Sequence, residues 1–167
     1  MDLQVVPNPL VATFMDVFVV SRRELAGTPN VIRSFASTNS TVAVRQSEDD
    51  LDGRGVLIWT GRVQLESGVS GLVRFEAQAF TALGTDVRDT ASVEIAAVAA
   101  GKRVVLAHEG VRLDMPPEAL GAGTTVLLQV EERVEEISPE LELRRIVDVY
   151  PAGQRLTRPG RLAWEGV

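Results

Sequence analysis

The sequence lacks cysteine altogether and has one histidine and one lysine among its 167 residues. The absence of cysteine excludes a disulfide framework, a thiolate nucleophile and a zinc site built on thiolates. Because His108 is the sole histidine, catalysis of the serine–histidine type would depend on that residue alone. Aromatic residues make up only 5 % of the chain. The chain is therefore poor in the side chains from which most catalytic sites are built, which predicts that it is not an enzyme.

Positive charge is also scarce, since 17 Lys and Arg face 23 Asp and Glu and leave a net charge of -6. A nucleic-acid partner or an anionic membrane surface would need a basic face, so both are disfavoured as partners. The longest apolar run, residues 95–100, is far too short to span a bilayer, which argues against membrane insertion. The first residues lack the basic and apolar regions of a signal peptide. The chain is then either cytosolic, or a mature or excised piece of a secreted protein.

Apolar and polar residues alternate with a period of two along most of the chain. In one such run Val73, Phe75, Ala77 and Ala79 alternate with charged and amide side chains. This period is typical of antiparallel strands with one face buried and one face in water. Clusters of Gly, Asp, Pro and Asn separate the runs and give about seven strands over residues 3–98. That spacing predicts one β-sandwich of immunoglobulin size.

A second set of strands begins near Gly101. The predicted strands are residues 102–107, 111–115, 124–132, 145–151 and 154–164. Two prolines followed by Glu118 predict a single helical turn at residues 116–120, and residues 131–145 are expected to form a hairpin or loop. The fold class is therefore all-β, with two antiparallel β-sandwich domains at residues 1–99 and 100–167.

Several motifs of the first domain carry a family resemblance. They are Val6-Pro7-Asn8-Pro9, residues 16–21, residues 25–31, and residues 73–79 followed by 86–95. On these motifs, residues 1–98 resemble the bacterial Ig-like modules of secreted, multidomain surface proteins. In those modules the last hairpin often carries an Asp and a Gly-Asn loop. The present chain has Leu83-Gly84-Thr85-Asp86 instead, a departure from the calcium-associated pattern.

The second domain carries a different signature. Residues 110–120 hold Pro116-Pro117-Glu118-Ala119-Leu120, residues 123–126 continue it with Gly-Thr-Thr-Val, and residues 149–159 supply a closing Pro-Ala-Gly and Pro pattern. On these motifs, residues 101–167 resemble a ZU5-type β domain. The resemblance implies a non-catalytic β module used in protein–protein contact or as a scaffold. The segment is shorter than a typical domain of that type, so it is either truncated or completed by a neighbour.

One candidate metal site stands out in the acidic segment Glu48-Asp49-Asp50-Leu51-Asp52-Gly53. Carboxylates at Glu48, Asp50 and Asp52 followed by glycine resemble the start of an EF-hand loop, in which alternate oxygens converge on Ca²⁺. The bidentate glutamate that closes such a loop would fall at Trp59. A solvated hairpin turn is the competing interpretation, and a calcium site would need completion by another loop, for example one carrying Asp86. No other cofactor is expected.

The remaining candidates favour structural roles. His108 beside Glu109 has no accompanying nucleophile motif and is interpreted as structural. Trp59, Phe75 and Phe80 fall in alternating strands and are predicted to lie in the core, whereas Trp164 could pack against a neighbour.

These observations lead to a functional hypothesis. The chain is expected to be a non-catalytic structural or protein-interaction module of a secreted or cell-surface bacterial assembly. It would form a homo-oligomer, a filament or a surface layer through its terminal strands, because the last strand near residue 164 would have an unpaired edge. An alternative is an accessory spacer or substrate-binding module excised from a larger secreted hydrolase. A glycosidase that uses paired carboxylates is a third, less favoured reading.

Overall fold

The computed structural model describes residues 1–8, 13–47, 55–66, 68–138, 141–150 and 156–164, with the strand pairing alone described over 131–145. In these ranges the chain is all-β: it contains antiparallel strands and no helix, so no helix could cross a membrane. The strands in chain order are β1 (Asp2–Pro7), β2 (Phe14–Ser21), β3 (Asn30–Phe35), β4 (Thr38–Val42), β5 (Val44–Gln46), β6 (Leu57–Gln64), β7 (Gly71–Phe80), β8 (Asp86–Ala97), β9 (Val104–His108), β10 (Val111–Met115), β11 (Thr125–Ser138), β12 (Leu141–Tyr150) and β13 (Arg161–Trp164).

The chain divides into two compact units. The first unit comprises Met1–Glu66 and Val73–Ser92, and the second comprises Ser67–Leu72 and Val93–Val167. The strands form three sheets with the orders β1-β2-β6-β5, β13-β10-β9 and β12-β11-β8-β7-β3-β4. The all-β, sandwich-type architecture expected from the period-two pattern is confirmed.

The core of the first unit follows the alternation of its strands. On β2 every second residue is buried, and Met15, Val17 and Val19 have no exposed surface. On β7, Phe75 and Ala77 are likewise buried, while Arg74 and Glu76 on the opposite face are exposed. Strands β2 and β6 pair without a register shift over their whole length. A continuous register keeps Met15, Val17 and Val19 on the same buried face as Trp59 and Val63.

One aromatic residue of the first unit was assigned wrongly from the sequence. Trp59 and Phe75 are 3 % and 1 % exposed, as predicted, but Phe80 is 52 % exposed. Phe80 lies five positions after Phe75 on the same strand, and residues an odd number apart point to opposite faces. The prediction of Phe80 as a core residue is therefore wrong.

The second unit has its own core. It is built from β9, β10 and β11, with contributions from residues that flank them. Its buried members are Ala96, Val98, Val104, Leu106, Val111, Leu113, Met115, Ala119, Val126, Leu128 and Val130. The predicted hairpin at residues 131–145 is confirmed, because β11 pairs with β12 across this region.

The turn between β9 and β10 fixes which residues enter that core. Glu109 and Gly110 both have positive φ, 47° and 76°, which is the conformation of a two-residue type I′ turn. The turn aligns His108 with Val111 and Leu106 with Leu113. Both pairs lie on the buried face of the sheet.

The Pro-Pro segment forms a turn instead of the predicted helical turn. The Ala119 N–H donates to the Pro116 carbonyl at 3.2 Å, but Glu118 adopts a left-handed φ of 64°. A residue in that conformation cannot continue a right-handed helix. The segment anchors residues further along the chain, because the Thr157 N–H donates to the Ala119 carbonyl at 3.1 Å.

Candidate interaction surface

The predicted calcium ligands Glu48, Asp50 and Asp52 lie outside the described residues, so the calcium site remains a prediction. Asp86, which was considered as an additional ligand, accepts hydrogen bonds from Arg88 and Gln78. Asp89 accepts the Leu3 N–H at 2.7 Å and the Thr90 N–H at 2.9 Å. Within the described ranges, no three Asp, Glu or His side chains are grouped closely enough to hold a metal ion.

His108 ends β9 and is buried, with 8 % of its surface exposed. Its Nε2 lies 3.8 Å from Oε1 of Glu109. Partial burial raises the pKa of the Glu94 carboxyl, and the charge of His108 opposes that rise. From the sequence, His108 is interpreted as structural. It pairs with Val111 on the buried face of the sheet, which is consistent with a packing role.

Described residues of the first unit line several grooves. One has a volume of about 540 Å³, and a second of about 500 Å³ runs beside Leu57 and Trp59. Trp59 is 3 % exposed and so cannot offer a ring face to a ligand. A third, of about 400 Å³, is lined by Phe80 together with the amide side chains of Asn30 and Gln78. This groove alone among the three places a half-exposed aromatic ring beside hydrogen-bonding side chains.

A polar cluster covers the outer face of β2 and β6. Asp16 pairs directly across the two strands with Arg62, whose Nε donates to Asp16 Oδ1 at 2.6 Å. The Asn8 side-chain amide donates to Asp16 Oδ2 at 2.8 Å. The guanidinium of Arg62 also lies over the Phe14 ring, 5.9 Å from its centre. The cluster therefore ties the end of β1 to the middle of its sheet.

The Asp16 cluster makes the stability of the protein depend on pH in the acid range. The hydrogen bond from Arg62 holds the pKa of the Asp16 carboxyl below its ordinary value of 3.8, although burial opposes the effect. Because the pKa is lower in the folded state, this contribution is present above the unfolded-state value and is lost as the pH falls through the folded-state value. We expect Asp16→Asn to lower the thermal midpoint near neutral pH by about 2 °C, and the difference from the unmodified chain to vanish in acid.

Thermal melts followed by circular dichroism at a series of pH values measure this difference. Glu24→Gln, which removes an exposed carboxylate of the same unit, serves as the control and should leave the midpoint unchanged throughout. A deficit of Asp16→Asn that stays constant down to strongly acid pH would show that the carboxylate charge is not responsible.

The outer edge of β1 is partly occupied within its own unit. The Asn8 N–H donates to the Phe14 carbonyl, so even-numbered residues direct their backbone groups toward β2 and odd-numbered residues direct theirs away. Of the residues that point away, Leu3 gives its N–H to the Asp89 carboxylate. Pro7 has no N–H to offer. This edge is therefore a poor template for another strand.

Strand β13 is likewise an edge strand, in the β13-β10-β9 sheet, and it carries two large apolar side chains that are about half exposed. Leu162 pairs with Leu113 and Trp164 pairs with Val111. Directly paired residues share a face, so Leu162 and Trp164 lie on the face that carries the core of the second unit. Their partners are 6 % and 1 % exposed, whereas Leu162 is 48 % and Trp164 is 52 % exposed. We call Leu162 and Trp164 on β13 the open edge.

The other face of the same sheet is polar. Asp114 accepts hydrogen bonds from Arg103, one of them from Nε at 2.6 Å, and pairs across the strands with Arg161. The hydrogen bonds from Arg103, together with the charges of Arg112 and Arg161, hold the pKa of the Asp114 carboxyl below its usual range. The sheet that carries the open edge therefore has an apolar face and a charged face.

The sequence indicated part of the open edge. It predicted a strand over residues 154–164 and left open whether Trp164 packs on a neighbour, but the strand in the described chain is the shorter Arg161–Trp164. Residues 156–160 instead form a connection held by Thr157 and by the ion pair of Arg158 with Glu118 at 3.4 Å. The exposure of Leu162 had no signal in the sequence. Comparisons of the chain with protein-family models, curated proteins and solved structures gave no match.

Proposed function

We propose that this protein is a non-catalytic structural module that contacts neighbouring copies or domains in a secreted or cell-surface bacterial assembly. It would combine an Ig-like domain at residues 1–99 with a ZU5-like domain at residues 100–167. The observation that carries the proposal is the open edge, where Leu162 and Trp164 continue a buried apolar face into solvent.

The physical reason is the cost of leaving such surface in water. Burying apolar surface contributes about 25 cal/mol per Å², and tryptophan is among the residues that contribute most to protein–protein contacts. Among the described strands, the backbone of β13 pairs with β10 on one side and with no strand on the other. A strand laid against the other side would gain main-chain hydrogen bonds and bury Leu162 and Trp164 together.

The mass of the native particle tests the proposal. We expect light scattering over a range of concentrations to give a mass that rises above the 18.0 kDa of one chain. Leu162→Glu should return the mass to that of one chain, because a carboxylate at the open edge opposes burial. Leu83→Glu changes a 94 % exposed leucine of the first unit and is the matched control. A mass of one chain at every concentration would contradict self-assembly.

A second function, a substrate-binding module of a larger hydrolase, is favoured by the groove of Phe80, Asn30 and Gln78. A ring beside amide groups is suited to stacking and hydrogen bonding with a sugar. Sedimentation of the protein with insoluble polysaccharides separates the two functions. If the protein stays monomeric and sediments with a polysaccharide, and Phe80→Ala abolishes this co-sedimentation, substrate binding is favoured over assembly.

A further inference from the structure

We infer that the strand which completes the open edge is β13 of a second copy of the chain, paired antiparallel about a two-fold axis at Ala163. The inference rests on the proposed function and names the partner and the register of that contact. It follows from the order of four side chains on β13: Arg161, Leu162, Ala163 and Trp164.

The register follows from which side chains would then face one another. With Ala163 opposite Ala163 of the partner subunit, Leu162 stands opposite the partner's Trp164, and the same pair occurs again by symmetry. Both pairs lie on the core side of the sheet, because Leu162 and Trp164 share the face of Leu113 and Val111. The apolar faces of the two second units would therefore continue into one another across the axis.

Other registers lack this match. A slip of one residue places Trp164 opposite the partner's Arg161 and Leu162 opposite the partner's Ala163, which mixes the apolar and the charged faces. A slip of two residues places Leu162 opposite itself but leaves Trp164 opposite Gly160, which has no side chain to cover the ring. Pairing about Ala163 is the arrangement that covers both large side chains of each copy.

The cysteine-free chain allows a direct test of the register. Opposed Cα atoms of an antiparallel pair lie about 4.5 or 5.5 Å apart, and both separations permit a disulfide. Under mild oxidation, we expect Ala163→Cys to form a disulfide-linked dimer at least about tenfold faster than Ala107→Cys, because the paired thiols are held at high effective concentration. Ala107 is the matched control, since it lies in the same cross-strand row of the same sheet, at the β9 edge.

Two further variants show that the cross-link reports the proposed pairing. Adding Leu162→Glu to Ala163→Cys should reduce the rate to that of Ala107→Cys, whereas adding Leu83→Glu should leave it unchanged. Leu162→Glu alone should also lower the association measured by light scattering, whereas Leu162→Trp combined with Trp164→Leu, which keeps a tryptophan opposite a leucine, should preserve it. These variants do not depend on the introduced cysteine, and they test the pairing if the cysteine variant fails to fold.

The outcomes separate this inference from the function on which it rests. Equal cross-linking rates in a chain whose mass still rises with concentration would overturn the pairing about Ala163 and leave an assembly through another surface. Loss of association in the combined Leu162→Trp and Trp164→Leu variant would overturn the register in the same way. A mass of one chain at every concentration would overturn both proposals.

Discussion

Phe75→Ala is expected to lower the free energy of unfolding by about 3–5 kcal/mol, the usual cost of removing a buried phenylalanine ring. Phe75 is 1 % exposed and is the largest fully buried side chain of the chain's described part. Because small proteins are stable by only about 5–15 kcal/mol, this loss is a large share of the total. Urea unfolding followed by the fluorescence of Trp59, in a Trp164→Phe background, reports on the first unit, in which Trp59 is buried.

Phe80→Ala is the matched control, since it removes the same side chain from the other face of the same strand. With half of the ring in water, its loss should cost about 1 kcal/mol or less. Equal effects of the two substitutions would mean that β7 does not bury one face against a core, and would contradict the assignment of Phe80 to the exposed face.

Gly61→Ala is expected to destabilise the first unit by about 1–3 kcal/mol, as overpacking commonly does. Gly61 lies in the interior of β6 opposite Val44 of β5. A methyl group added there would lie 2.7 Å from the Ala43 carbonyl oxygen and 2.9 Å from Val44 Cγ1. The carbonyl belongs to the backbone, so relief requires β5 to move away from β6.

Gly27→Ala provides the comparison, because an added Cβ at Gly27 meets no atom within 4 Å. Its effect should stay within about 0.5 kcal/mol of zero. The same urea titration measures both variants. Equal stability of Gly61→Ala and Gly27→Ala would contradict the close approach of β5 to β6 at Gly61.

Much of the fold could be predicted from the sequence, because burial on one face leaves a period-two pattern. Val73, Phe75 and Ala77 fall on the buried face for this reason. The pattern fails where a strand ends: Phe80 is apolar but lies on the exposed face. The prediction of a helical turn at residues 116–120 failed for a different reason. Glu118 adopts a left-handed backbone conformation, and glutamate, unlike glycine, does not signal that conformation in a sequence.

The open edge could be predicted only in part. Leucine and tryptophan two positions apart indicate one apolar face, but whether that face is covered depends on which strand lies at the edge of the sheet. That order is set by pairing between distant segments, such as Leu113 with Leu162. The pairing of Asp16 with Arg62 is likewise a consequence of the β2–β6 register, which neither local segment reveals.

The partly occupied edge of β1 bears on how many contacts the chain can make through its first and last strands. The Asp89 carboxylate and the missing N–H of Pro7 leave β1 with fewer backbone donors for another strand. Strand β13 is therefore the better of the two for pairing with another chain. When β13 pairs with β13 of a second copy about a two-fold axis, the contact is closed and that edge cannot bind a third copy. Growth into a filament or a layer would then need a second contact of a different kind, made by side chains instead of strand pairing.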